Sequence, residues 1–298
     1  MSERTLVIRF SALGDVVLAG AVTGGLGPVA FLTHPGLAEV AAVLPGVTRV
    51  YRWGHDDLPD RGWSRIVDLH GSPRSRLICA ALPGDVSRIH RYTLHRLARV
   101  AFKSAPAPAL LDRYARAARI TPDGRPWIPR PGAGPADTLL LCPGAAHDTK
   151  RWAWERFAAL AASWDGPVAV LGGPGEEAAC AQVAAAAREA RVVCGKGFTE
   201  VLALLHRGRA CVAGDTGLMH LCAAAGIPTI GLFGPTTSTD GFWVHGRGHA
   251  PGSTPLEVEL PCRPCSRFGG ARCPMGDHLC LEQLTVGAVQ AALDAALM

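Results

Sequence analysis

Gly214-Asp215-Thr216-Gly217-Leu218-Met219-His220, followed by the apolar run 221–226, decides how this chain is read. The short apolar segment Ala210-Cys211-Val212-Ala213 precedes it. The order is therefore strand, glycine-bounded turn, alanine-rich helix. Gly214 and Gly217 let the backbone approach a ligand closely. The first free N–H groups of the helix point into the turn, and the helix dipole favours negative charge there. Asp215 or Thr216 can cap the helix. A turn of this kind suits a diphosphate, which makes nucleotide-sugar chemistry the first reading to test.

Working outward, apolar strands at 138–142, 168–171, 192–193, 210–213 and 229–233 alternate with helical segments at 154–163, 176–188 and from 199. A matching rhythm fills the first half. Strands are expected at 5–10, 29–33, 49–53 and 65–69, with a helix start at 16–22. Such βαβ alternation argues for parallel sheets covered by helices on both faces. The Pro/Gly-rich stretch from residue 121 cannot continue a helix and reads as a linker. Two domains are expected: 1–133, including the linker, and 134–298, with a cysteine-rich loop at 262–280 and a terminal helix at 284–298. Two βαβ domains in tandem form a cleft between the carboxyl ends of their strands, where ligands bind.

Composition narrows the class. No apolar run reaches the roughly 18 residues of a membrane span. The N-terminus reads as a first strand rather than a signal peptide. A cytoplasmic location with reduced cysteines is expected. The isolated Cys79, Cys142, Cys180, Cys194, Cys211 and Cys222 read as small buried hydrophobes. The net charge of +5 is uneven: residues 1–133 hold 18 Lys/Arg against 10 Asp/Glu, and residues 134–298 hold 12 against 15. The first half should therefore meet something anionic. Zinc-finger spacing is absent and aromatics are only 6%, so nucleic acid is not the expected partner.

Several residues can carry chemistry. Asp15, at the end of the first strand, can act as a general base toward a sugar hydroxyl or serve as a helix cap. Lys150 and Arg151 follow the first strand of the second half; they can neutralise a leaving diphosphate or form a solvated pair. Glu176, after Leu171-Gly-Gly-Pro-Gly, can take two hydrogen bonds from a ribose diol or simply favour the helix dipole. Arg74, Arg76, Arg91 and their basic neighbours through Lys103, interleaved with Ile89, Tyr92, Leu97 and Val100, read as a basic amphipathic helix. That face suits a phosphorylated acceptor or an anionic lipid, or is merely solvated. Cys262, Cys265, Cys273 and Cys280 have the composition of a thiolate metal site, the other reading being a reduced structural loop.

Taken together, five segments resemble glycosyltransferase family 9, the ADP-heptose:lipopolysaccharide heptosyltransferases. They are Leu6-Val-Ile-Arg-Phe-Ser-Ala-Leu-Gly-Asp15-Val-Val, Thr149-Lys-Arg-Trp152, Leu171-Gly-Gly-Pro, Gly214-Asp-Thr-Gly-Leu-Met-His220 and Leu232-Phe-Gly-Pro-Thr236. The cysteine tail is similar to that of some members. The resemblance implies a GT-B fold, α/β with two Rossmann-like doubly wound domains facing across a cleft. It implies inverting, metal-independent transfer that requires no cofactor; a structural zinc or iron at the four cysteines is an expectation from their composition. Asp15 then matches the catalytic base and Lys150 the lysine on the donor phosphates. Glu176 falls at the ribose-binding glutamate, with Glu177 adjacent. Gly214, Asp215, Thr216, Gly217, Leu218 and His220 match the donor-binding turn. Ala153, Ala145 and Ala146 depart from the family pattern.

The function implied is transfer of heptose from ADP-heptose to a lipopolysaccharide inner-core acceptor, Kdo or heptose. The enzyme would be cytoplasmic and peripheral to the inner membrane, where the lipid A–Kdo acceptor lies, and Arg74, Arg76 and Arg91 would face that acceptor. Rival readings are the same fold with another nucleotide sugar or acceptor, and a non-catalytic nucleotide-binding regulator with a four-cysteine metal or redox sensor.

Overall fold

The computed structural model describes residues 5–59, 61–121, 128–130, 134–195, 197–240 and 251–298. Most of the expected linker lies outside them. The chain divides into two compact units, Met1–Tyr92 with Pro108–Pro129, and Thr93–Ala107 with Arg130–Met298. The sequence reading kept 93–107 with the first half; this segment instead groups with the second unit.

In chain order the first stretch runs β1 (Thr5–Ile8), α1 (Leu13–Thr23), β2 (Val29–Thr33), α2 (Ala38–Ala42), β3 (Val47–Arg52), β4 (Arg65–Asp68), α3 (Pro73–Ala81) and β5 (Asp85–Arg88). Next come α4 (Thr93–Phe102), which belongs to the second unit, and α5 (Leu110–Ala118), which returns to the first. The strands form a parallel sheet in the order β3-β2-β1-β4-β5. Every residue of the central β1 is buried, whereas the edge strand β3 is largely exposed. A strand covered on both faces is continuously apolar, and an edge carries charge. Leu6, Ile8, Phe10, Leu32 and Ile66 build the core on one face. On the other, Tyr114 of α5 is fully buried and its hydroxyl donates to the Asp15 carbonyl at 3.2 Å.

The second unit runs β6 (Thr138–Cys142), α6 (Trp154–Ser163), β7 (Val168–Gly172), α7 (Glu177–Ala185), β8 (Ala190–Cys194), α8 (Phe198–Leu205), β9 (Gly208–Gly214), α9 (Gly217–Ala224), β10 (Thr229–Phe233), β11 (Thr254–Glu257), α10 (Leu279–Glu282) and α11 (Val286–Leu297). Its parallel sheet has the order β11-β10-β9-β6-β7-β8. Trp152 is buried edge-on against Phe157, with ring centroids 5.0 Å apart, and its Nε1 donates to the Leu284 carbonyl at 2.8 Å. This indole ties the segment just after Lys150 to α6 and to the start of α11. Truncating such a residue typically costs about 3–5 kcal/mol. The terminal helix packs back on α6 and the sheet, with Val289 and Leu293 buried.

Each sheet has one point where strand order reverses: between β1 and β4 in the first unit, and between β6 and β9 in the second. At such a point neighbouring loops leave in opposite directions and open a crevice at the carboxyl ends of the strands. Asp15 follows β1. Lys150 follows β6, and Asp215 follows β9.

Two expectations about the basic region change. Ile89 and Tyr92 precede α4 rather than lying on it, because β5 ends at Arg88 and Tyr92 takes a left-handed φ of 52°. The helix is also turned the other way. Arg99 Nε donates to Asp240 at 3.1 Å, and Lys103 Nζ donates to the carbonyls of Cys262 and Pro264 at 2.9 and 2.8 Å. Leu94 and Phe102 face solvent, 82% and 81% exposed.

Candidate active site

At the second reversal point, Lys150 Nζ donates to Asp215 Oδ2 at 2.6 Å and to the Asp215 carbonyl at 3.2 Å. The two side chains are nearly buried, 13% and 6% exposed. Thr236 Oγ1 donates to the same carboxylate oxygen at 2.8 Å. Burial pushes the Asp215 carboxyl up, but Lys150, His220 and Thr236 outweigh it and hold it below the usual carboxylate range. His220 is itself buried, in the first turn of α9.

Thr216 occupies the position before α9, yet its side chain makes no capping bond. Its Oγ1 is buried and has no hydrogen-bond partner. Neither Asp215 nor Thr216 therefore caps the helix as the sequence allowed: one carboxylate is bound to lysine and the hydroxyl is unused. A buried unpaired hydroxyl is costly, and the first N–H groups of a helix attract anions. Lys150, the Thr216 hydroxyl and the α9 N-terminus together have the chemistry to hold an anion such as a phosphate.

Glu176 and Glu177, adjacent in sequence, separate in space. Glu176 Oε2 accepts from the Gly173 N–H at 2.7 Å. Its carboxylate also lies over Gly144, just beyond β6, where an added Cβ would land on it. Glu176 thus spans the ends of β6 and β7, on the side of the sheet away from β10. Glu177 instead accepts from Gly175 N–H at 3.1 Å and lies against Gly195 after β8.

The first unit builds a different constellation at its own reversal point. Asp15 is the third residue of α1, and its Oδ2 accepts from the Ala12 N–H at 3.1 Å. This is the reach-back half of a capping box, so the capping role is real but local. Arg9 donates to the same oxygen, and also to the Leu69 carbonyl beyond β4 at 2.7 Å. Burial pushes the Arg9 guanidinium down, but Tyr114, Asp15 and Asp68 more than offset it. Asp68, fully buried, accepts from the His70 and Gly71 N–H groups, from Ser75 Oγ at 3.0 Å and from Arg88 Nε at 2.8 Å. His70 packs edge-on against Phe10 at 5.0 Å, and its Nδ1 is buried without a partner. Burial, then Arg9, push its imidazole down to about 4.

The basic residues expected to meet an acceptor divide. Arg91 lies across Gly71, at the same strand ends as Asp68. Arg74 stands 5.8 Å from the Trp53 ring, and Arg76 is exposed on α3. Of the cysteines, Cys280 is buried and Cys262, Cys265 and Cys273 are partly exposed. The thiols that lie within 4.8 Å of one another among the described residues are another set, Cys142, Cys211 and Cys222, on β6, β9 and α9.

Comparison with known proteins places this geometry. A profile for glycosyltransferase family 9 (heptosyltransferase) matches residues 111–253. Over those residues, just under half of its length, the chain is similar to glycosyltransferase family 9. Lipopolysaccharide heptosyltransferase 1 of Pseudomonas aeruginosa is 27% identical over 318 aligned positions, covering 88% of this chain and 86% of that one. Among solved structures, Escherichia coli ADP-heptose lipopolysaccharide heptosyltransferase II superposes with a TM-score of 0.74 at 19% identity, over 99% of this chain and 98% of that one. The iron-containing dodecameric glycosyltransferase TibC of enterotoxigenic Escherichia coli gives 0.59 at 14% identity, over 99% and 76%. The fold is GT-B, two parallel-sheet α/β units, and the protein is a glycosyltransferase.

The sequence singles out Asp15, Lys150, Glu176 and the 214–220 turn, and the structure sets each of them just beyond a strand end. Sequence reasoning missed Arg9, Asp68, His70, Thr149, Thr236 and Arg263. Asp68-Leu-His-Gly-Ser does carry a local signal, since it is a polar turn closing an apolar strand before a helix. Thr149 and Thr236 lie within segments already singled out, but nothing there names their partners; Arg263 carries no local signal, its partners lying in distant loops.

Proposed function

We propose that this enzyme transfers heptose from ADP-heptose to an inner-core acceptor of lipopolysaccharide, with inversion at the anomeric carbon. The observation that carries the reading is the Lys150–Asp215 pair beside the unpaired Thr216 hydroxyl at the N-terminus of α9. ADP would lie on the second unit, its ribose on Glu176 and its diphosphate on Lys150 and α9. The sugar–phosphate bond breaks toward the diphosphate, and Lys150 and the α9 N–H groups stabilise the charge that grows there. Asp15, on the first unit, takes the proton from the acceptor hydroxyl as that oxygen attacks. Arg9 and the Ala12 N–H both hold Oδ2, which leaves Oδ1 to accept the proton. Arg91, at the same strand ends, suits an acidic acceptor sugar.

The same reading has the enzyme visit a membrane surface. Among the described residues no helix is long and apolar enough to cross a membrane. The exposed Leu94 and Phe102 of α4, on a basic segment, are supporting features. The four loop cysteines would hold a structural zinc or iron. Burial pushes the Cys265 and Cys280 thiols up, whereas the backbone N–H groups of residues 275–278 outweigh burial at Cys273 and hold it below the ordinary range, so a metal would have to draw those two thiols into the thiolate form. Such a metal would cross-link the loop and take no part in transfer.

The test is direct. Purified enzyme with ADP-heptose and a Kdo-bearing lipid A acceptor should give a product heavier by one heptose. Turnover with another nucleotide sugar and none with ADP-heptose would overturn the donor. Metal analysis after anaerobic purification should find about one zinc or iron per chain.

A further inference from the structure

We infer that the cysteine-rich loop is the clamp that sets the Lys150–Asp215 pair, with Arg263, Thr236 and Thr149 as positioning residues for the donor diphosphate. This rests on the nucleotide reading above and adds to it which groups fix the phosphate-binding lysine.

The loop reaches both members of the pair, each at one residue's remove. On the aspartate side the agent is Arg263, whose side chain is only 5% exposed. Its Nε donates to the Gly234 carbonyl at 2.6 Å. Its Nη2 donates to the carbonyls of Phe233 and Thr236 at 3.1 and 2.7 Å and to Glu257 Oε2 at 2.9 Å. Its Nη1 donates to the Val258 carbonyl. Cys265 N–H adds a bond to the Pro235 carbonyl at 3.0 Å. The turn leaving β10 is thus pinned on one guanidinium, a planar fork of donors that lysine cannot reproduce. That turn carries Thr236, whose hydroxyl bonds the Asp215 oxygen that Lys150 also bonds.

On the lysine side the agent is Thr149. Its N–H and its hydroxyl both donate to the Gly270 carbonyl, at 3.2 and 2.9 Å, and Gly270 N–H donates back to Thr149 Oγ1 at 2.8 Å. Gly269 packs directly on His147, and Gly234 packs on the Thr149 carbonyl; a Cβ at either would come within about 3 Å of those atoms. The loop that bears Lys150, and the turn after β10 whose Thr236 holds Asp215, are therefore gripped by one strap from far along the chain. A lysine that must meet a diphosphate gains from such fixing, because little orientational freedom is left to lose on binding. Whatever state the four cysteines take acts on the same strap, since Arg263 and Pro264 lie between Cys262 and Cys265.

The probes are ADP and AMP, which differ by the β-phosphate, measured by calorimetry on the full-length protein. Thr149→Val and Thr236→Val should each weaken ADP about tenfold and leave AMP within about twofold, since the lost bonds to charged or positioning groups act on the outer phosphate. Thr149→Ser and Thr236→Ser should restore ADP binding. Arg263→Lys should reproduce the valine phenotype. Far-UV circular dichroism and Tm establish that each variant is folded; the Thr149 series, at the loop contact, decides the matter if the Thr236 series does not fold. Equal weakening of ADP and AMP, or unchanged ADP binding in folded variants, would overturn the clamp while leaving the nucleotide reading intact. A wild-type protein that binds neither nucleotide would overturn both.

Discussion

The two sheets reverse strand order in the same way, and at each reversal a cation reaches from one strand-end loop to the other. In the first unit Arg9 joins the loop after β1 to the loop after β4. In the second, Lys150 joins the loop after β6 to the loop after β9. The partners differ in spacing and in what they leave available. Arg9 and Asp15 are 6 residues apart, and Asp15 keeps an oxygen for a proton. Lys150 and Asp215 are 65 residues apart, and beside them lie an unpaired hydroxyl and a helix N-terminus. On the reading proposed above, one architecture presents a base in the first unit and an anion site in the second. The scaffold fixes where the chemistry sits, and the few side chains at the crevice fix its sign.

The largest effect should come from the base. Asp15→Asn should lower kcat about 10³-fold, within the usual contribution of general bases, while ADP binding stays unchanged. If that variant also loses ADP, the division of labour between the units is wrong. Lys150→Met should lower kcat/KM about 10²-fold and weaken ADP as well. It also strands a buried carboxylate, so a loss of about 3–5 kcal/mol is expected in urea unfolding. Adding Asp215→Asn should recover part of that stability and none of the activity; full additivity in the double-mutant cycle would mean that the pair is uncoupled.

A smaller effect separates the ribose from the phosphates. Gly144→Ala puts a methyl group where the Glu176 carboxylate lies. It should raise the donor KM about tenfold with little change in kcat, and Glu176→Gln should match it. Wild-type KM in the Gly144→Ala enzyme would remove Glu176 from the donor site.

The smallest effect is a pH signature that tells the units apart. The native chain takes up the His70 proton only near pH 4, against 6.5 for the free imidazole. Its contribution to stability is whole above 6.5 and is lost as pH falls from there to 4. Asp215 is also depressed, but from the carboxylate range, so its contribution is present above that range and fails only as pH falls below it. Hydrogen exchange, corrected for intrinsic rates, should show peptides of β1 and β4 loosening between pH 6.5 and 4 while those of β6 and β9 hold. His70→Gln should abolish the first step, and its persistence would show that another group titrates.

Much of the architecture was legible along the chain. β2, β6, β10 and α6 fall where the apolar runs place them, because a buried strand or an amphipathic helix writes its period locally. β5 and β11 were not legible. Asp-Val-Ser-Arg and Thr-Pro-Leu-Glu are four-residue edge strands with no apolar pattern, formed because a neighbouring strand offers its free backbone. For α4 the amphipathic pattern was readable but its orientation was not, since periodicity does not say which neighbour a face will meet. Its cations found Asp240 and the carbonyls at 262 and 264, and its leucine and phenylalanine were left in solvent.

The sequence by itself determined two βαβ units, the polar turns that close their strands, and three residue types that suit sugar transfer: an aspartate, a lysine and a glutamate. Only the tertiary structure decided that Lys150 bonds Asp215, that Glu176 rather than Glu177 reaches the first strand of its sheet, and that Arg263 and Thr149 draw the cysteine loop onto the Lys150–Asp215 pair. The reason is physical. Strand and turn preferences are local, whereas a buried charge or hydroxyl must find its partner wherever the packed chain brings one within about 3 Å, and no spacing in the sequence encodes that meeting.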